Sequence, residues 1–145
     1  MEYATGTIGR IFMIRIDHGE DLLAAITTVA EREAVTVGLV LLLGALERGR
    51  LVQGPEALEL PPVPISTAFF DGREVLGIGT VVRENGVPVL HLHGATGREG
   101  MTAVGCLRGE AQVFATAEAV LLELGIAAVR HPDAATGLSP IAFGP

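Results

Sequence analysis

Asn85-Gly86-Val87-Pro88-Val89-Leu90-His91-Leu92-His93 is the stretch whose reading decides the fold. Asn-Gly is the strongest short signal for a two-residue hairpin, because a type I′ turn needs positive φ at both central residues. Residues 87–93 read as an extended strand. Side chains alternate across a strand, so His91 and His93 leave from one face and Leu90 and Leu92 from the other. Two imidazoles at i and i+2 can close on one ion. Cys106 comes thirteen residues after His93, beyond a segment able to fold back. Zinc takes imidazole nitrogen and thiolate sulfur in tetrahedral geometry, and three protein ligands leave a fourth position open. The same residues also suit a plainer arrangement: two half-exposed polar residues on a sheet face, with a small buried cysteine packed elsewhere.

Working outward, Glu74–Val82 reads as the partner strand, with Gly77 and Gly79 leaving room for close approach of another backbone. Thr67–Phe70 is a short strand that turns at Asp71-Gly72. Gly54–Pro64 holds four prolines and reads as a surface loop. Ala45–Val52 is expected as a strand of its own, and Val35–Leu43 as a strand buried on both faces, with Gly44 permitting a sharp exit. Thr7–Ile16 is the first strand. Asp17 can cap the next element, a helix on which Leu22, Leu23, Ile26, Val29 and Ala30 form one apolar stripe. After the histidines, Gly94–Gly100 reads as a flexible polar loop, a common place for binding groups. The alanine-rich content of Ala111–Leu124 allows a helix, but its Val113-Phe114 start favours a strand. Ile126–Val129 is a last short strand, and the tail after about residue 132 has no periodic pattern. Many strands and one clear helix make an α+β fold, with the 145 residues as one domain.

Composition bounds the function. The chain is 49% hydrophobic with no Trp and one Tyr, so the core is aliphatic. A mean hydropathy of +0.48 without a run long enough to span a bilayer points to an oligomer with a large apolar interface. The formal charge of −7 and the lack of a basic cluster argue against direct nucleic-acid binding. Glu47-Arg48-Gly49-Arg50 is the nearest basic feature and reads as a solvated hairpin end. A single cysteine excludes an intrachain disulfide. Met1–Arg10 lacks the pattern of a signal peptide, so a cytoplasmic location is expected.

Other residues that can do chemistry are few. His18 and His131 read as exposed or capping. Glu74, beyond the expected partner of His93, suits either a general base or a carboxylate supporting a metal ligand, or else a surface acid at a strand end. Arg98 and Glu99 can meet a small anionic ligand or simply face water. Ser66 and Ser139 lack a nucleophile context, and Gly77-Ile78-Gly79 precedes no helix, so no dinucleotide fingerprint exists.

His91-Leu92-His93, a glycine-containing segment, then Val104-Gly105-Cys106-Leu107 resembles the metal signature of the PPC domain, the plants-and-prokaryotes conserved domain. The family's usual pattern is His-x-His followed by Gly-Gly-His-Leu; here Val104 replaces a glycine and Cys106 the third histidine. Gly19-Glu20-Asp21-Leu22, Gly38 through Gly44-Ala45-Leu46, Gly72-Arg73-x-Val75-Leu76 (with Glu74 at or next to the family's glutamate) and Arg130-His131-Pro132-Asp133 followed by Thr136-Gly137 resemble further family positions in order. The resemblance implies a stand-alone prokaryotic-type domain: a mainly antiparallel sheet packed on one helix, assembled as a homotrimer. It also implies Zn²⁺ or a similar ion on His91, His93 and Cys106. Two functions are expected from it. One is a metal-dependent small-molecule protein, with catalysis left open. The other is a DNA-associated or protein-interaction module, as in the plant relatives, although the AT-hook arm is missing.

Overall fold

The computed structural model describes residues 1–144. Its elements are β1 Thr7–Asp17, α1 Leu22–Arg32, β2 Val37–Pro55, β3 Pro64–Phe69, β4 Arg73–Glu84, β5 Val87–Arg98, β6 Met101–Gly125, β7 Ala128–Arg130 and β8 Ile141–Phe143. The eight strands form one sheet in the order β3-β2-β6-β5-β4-β7-β8, with β1 beside β6. Every pairing is antiparallel except the short β4–β7 contact. β2 pairs with both β4 and β6, and β5 pairs with the same two strands, so these four close a ring of ladders. This is the expected α+β class, mainly antiparallel with one helix. No helix among the described residues is long and apolar enough to cross a membrane.

The helix is explained by its sequence. Asp21, not Asp17, is the N-cap; its carboxylate accepts from Ala24 N at 2.8 Å. Asp17 instead ends β1, where it pairs with Arg15. The other Asp21 oxygen accepts from Ala111 N at 3.1 Å, which ties the helix start to β6. Leu22, Ile26 and Ala30 are fully buried and join Val40, Leu42, Leu92 and Leu121 in the main core. Burial of each large aliphatic side chain contributes about 2 kcal/mol.

Several expectations change. β2 is one strand of 19 residues, not two. Gly44 does not turn the chain out; at φ +145° it sits beside a register shift, and a bulge absorbs the irregularity while pairing continues. Glu47-Arg48-Gly49-Arg50 therefore lies inside a strand, with Gly49 opposite both Phe69 and Ala111, and is no hairpin end. Val35–Leu43 is not buried on both faces: Leu41 is 42% and Leu43 52% exposed. Gly94–Gly100 is not a loop. β5 runs to Arg98 and reverses over Glu99 and Gly100, both at positive φ. Ala111–Leu124 is strand, the C-terminal part of the 25-residue β6. The short strand expected at Ile126–Val129 lies at Ala128–Arg130, and the tail is not patternless, since β8 pairs with β7. The Asn85-Gly86 turn is as expected, with φ of 50° and 82° and Glu84 paired with Val87.

The register lays one row of residues across the sheet face opposite the helix: Met13, Val120, Leu41, Ile78, His93 and Cys106, each paired with the next. Gly105, beside the last of them, permits a close approach. A Cβ there would lie 2.5 Å from the Val52 carbonyl oxygen of β2. We expect Gly105→Ala to lower stability by about 1–3 kcal/mol through this overpacking, read as a lower urea midpoint; an unchanged midpoint would refute the tight crossing.

Candidate metal centre

His91 and His93 stand two apart on β5 and share a face for the reason read from the sequence. β6 then brings Cys106 directly opposite His93. The two imidazole Nε2 atoms are 3.2 Å apart, with ring centroids at 5.0 Å. The donor atoms of all three residues lie within 4.8 Å of one another. A tetrahedral ion bonded to two imidazoles at about 2.05 Å holds their nitrogens about 3.3 Å apart. The histidine pair thus has close to the required bite, and the thiol lies within 4.8 Å of both. Two imidazoles and one thiolate fit a metal of the zinc class and leave one position for another ligand.

The burial is graded. Cys106 is buried at 6% exposure, His91 is half-buried and His93 exposed. His91 is held below the usual histidine pKa, first by burial and then by the charges of His93, Arg130 and Arg108. A lowered pKa keeps the imidazole neutral, which is the metal-binding form. Arg108 donates from Nε to Cys106 Sγ at 3.2 Å.

The three residues lie between two hollows. On one side, His93 borders an apolar groove of about 640 Å³ lined by Met13, Leu41, Leu43, Leu76, Ile78 and Val104. On the other, His91 borders a polar cleft of about 570 Å³ with Arg108 and Arg130 on its wall. Sequence reasoning missed both arginines. Arg108 was findable, since it lies two residues beyond Cys106 on a strand and shares its face. Arg130 had no local signal; it arrives through the single parallel contact between β7 and β4.

The remaining candidates fall elsewhere. Glu74 pairs with Gly97, four residues along β4 from Ile78, the partner of His93. That is about 13 Å along the strand. It is exposed and lines a different hollow, with His18, Asp71, Arg73 and Arg98. Arg98 pairs with its neighbour Glu99 at 3.3 Å. His18 stacks edge-on against Phe114 and accepts from Ala115 N through Nδ1.

No curated protein matches the chain. Among solved structures, a metal-containing protein of Archaeoglobus fulgidus is 26% identical, with 98% of this chain and 99% of that one covered at a TM-score of 0.86. A plant- and prokaryote-conserved (PPC) protein of Pyrococcus horikoshii is 27% identical, covers 100% of this chain and 99% of its own, and gives 0.85. A candidate DNA-binding protein of Bacteroides thetaiotaomicron shares the fold at a TM-score of 0.82, with 95% of this chain and 97% of that one covered but only 18% identity. The model of the Plants and Prokaryotes Conserved (PCC) domain matches residues 3–125, which takes in the helix, the hairpin and all three candidate ligands. The chain therefore belongs to the Plants and Prokaryotes Conserved domain family.

Proposed function

We propose that this protein binds a divalent metal of the zinc class through His91, His93 and Cys106, at a site for a small anionic molecule. The observation that carries the reading is the 3.2 Å spacing of the imidazole nitrogens with Cys106 paired opposite His93. The similar archaeal protein described as metal-containing supports it. The soft sulfur ligand favours zinc over Mg²⁺ or Mn²⁺. Such an ion supplies an acidified water or a Lewis-acidic position for an anion. The protein's own residues orient and tune that position. His91 stays neutral in its half-buried place, and Arg108 holds the sulfur in place through its Nε. With thiolate in place of a third imidazole, the centre carries one more negative charge, and a bound water is less acidic than in an all-histidine site.

Purified protein should hold close to one zinc per chain. Cys106→Ala should lower zinc affinity about tenfold or more, whereas Cys106→His should retain the metal and Glu74→Gln should leave its content unchanged. Equal zinc occupancy in wild type and Cys106→Ala, measured by elemental analysis, would reject the ligand role.

The same reading includes a homotrimer. Met13, Leu41, Leu43, Leu76, Ile78 and Val104 are exposed large apolar residues gathered on one face. A contiguous apolar patch of this kind marks a contact surface. Light scattering at micromolar concentration should give a trimer, and Leu41→Glu should shift it toward monomer; a wild-type monomer would sink the assembly.

A DNA-associated role is the second reading, favoured by a fold shared with candidate DNA-binding proteins of Bacteroides thetaiotaomicron and Ralstonia eutropha. Charge weighs against direct binding. All ten basic residues are arginines, and six of them (Arg10, Arg15, Arg48, Arg73, Arg83 and Arg98) are paired with carboxylates. Few cations remain to displace phosphate counterions. Binding to duplex DNA at physiological salt should be weak or absent in a mobility-shift assay, and nanomolar affinity there would favour the second reading.

A further inference from the structure

Arg108 and Arg130 form no ion pair among the described residues, unlike most of the chain's arginines. Both line the polar cleft beside His91. Arg130 is unusual, being 9% exposed. Its Nη1 donates to Ser139 O at 2.7 Å and its Nη2 to Thr80 Oγ1 at 3.4 Å. Its Nε is buried and has no hydrogen-bond partner among the described residues. A buried guanidinium without a carboxylate is costly, and an unused donor on it adds to the cost. Arg108 commits Nε to Cys106 Sγ and leaves its terminal nitrogens without partners among the described residues. Two carboxylates, Glu84 and Asp133, share the cleft wall. Asp133 is occupied, accepting from Ala135 N and Thr136 Oγ1 at 2.9 Å each. With a divalent ion held by a thiolate, the positive charges around the cleft exceed the negative by one.

We propose that this cleft binds the single carboxylate of a small organic acid between Arg108 and Arg130, with the other end of the ligand facing the His91–His93–Cys106 centre. That second end and the charge count rest on the metal reading; the pairing of a carboxylate with the two arginines does not need it. The planar guanidinium fork matches a carboxylate in two parallel hydrogen bonds, which a lysine could not supply. The cleft's volume of about 570 Å³ suits a small molecule. A monoanion also restores neutrality with the metal bound.

The test is calorimetric titration of the full-length protein with glycolate, which carries one carboxylate and one neutral hydroxyl. Inorganic phosphate is the competing probe, and zinc content is measured on every sample. Zinc-loaded wild type should bind one glycolate per chain. Compared at matched zinc occupancy, Arg108→Gln and Arg130→Lys should bind glycolate roughly tenfold more weakly or worse, the loss of one charge-assisted contact. Arg108 is exposed, so its variant keeps the test valid if Arg130→Lys fails to fold. Glycolate binding that neither variant weakens overturns the proposal. So does phosphate binding with no glycolate binding, or no glycolate binding at all. If wild type holds no zinc, the metal reading fails by itself. Weak glycolate binding that disappears in Arg108→Gln then still supports the arginine cleft, and its absence overturns that too.

Discussion

The ladder between β5 and β6 is the constraint on which the rest of the site depends. In an antiparallel pair, residues directly opposite share a face, and a slip of one residue sends every side chain to the other side. His93 opposite Cys106 is one rung of that ladder, and Gly94 opposite Gly105 is the next. The tight reversal at Glu99-Gly100 sets the register, as Asn85-Gly86 does for β4 and β5. Two short turns thus carry the geometric precision of the candidate centre. A site on strands held in register from both sides is stiffer than one on a loop. This suits a metal, whose ligand distances tolerate only a few tenths of an ångström.

The same register explains why the centre lies where it does relative to the core. The face bearing Leu42, Leu92 and Leu107 packs under the helix and supplies the hydrophobic free energy of the fold. The opposite face carries the histidines and the exposed apolar row. The two histidines are thus free to bind a ligand because they alternate with core leucines. Stability and chemistry are divided between the two faces of one sheet by the period of two along β5.

Electrostatics then singles out the site within an acidic protein. Most arginines are neutralised in pairs at the surface, where such pairs are worth little. Arg10, for instance, bridges β1 to Glu123, whose carboxyl is held down to about 2 by that hydrogen bond. Arg108 and Arg130 instead converge on one cleft beside His91. Arg130 comes from a three-residue strand that meets β4 in one parallel pairing, Arg130 with Glu84, so the C-terminal segment completes a wall that the hairpin alone does not have.

Local patterns alone determined much of this. The Asn85-Gly86 turn, the shared face of His91 and His93, and the helix stripe at Leu22, Ile26 and Ala30 arise from φ preference and from periods of 2 and 3.6, which act over a few residues. Cys106 was legible as a candidate ligand by its chemistry. Its register with His93 was not, because the glycines of Gly94–Gly100 read as a loop. Glycine signals flexibility locally, yet in β5 these glycines are held by ladders on both sides. The same holds at Gly44, where neighbouring strands keep β2 continuous through a residue able to end it. Tertiary structure alone decided that Leu41 and Leu43 face outward, since an apolar run does not say which of its faces will be covered. It alone brought Arg130 to His91, across a separation in sequence that no local interaction spans.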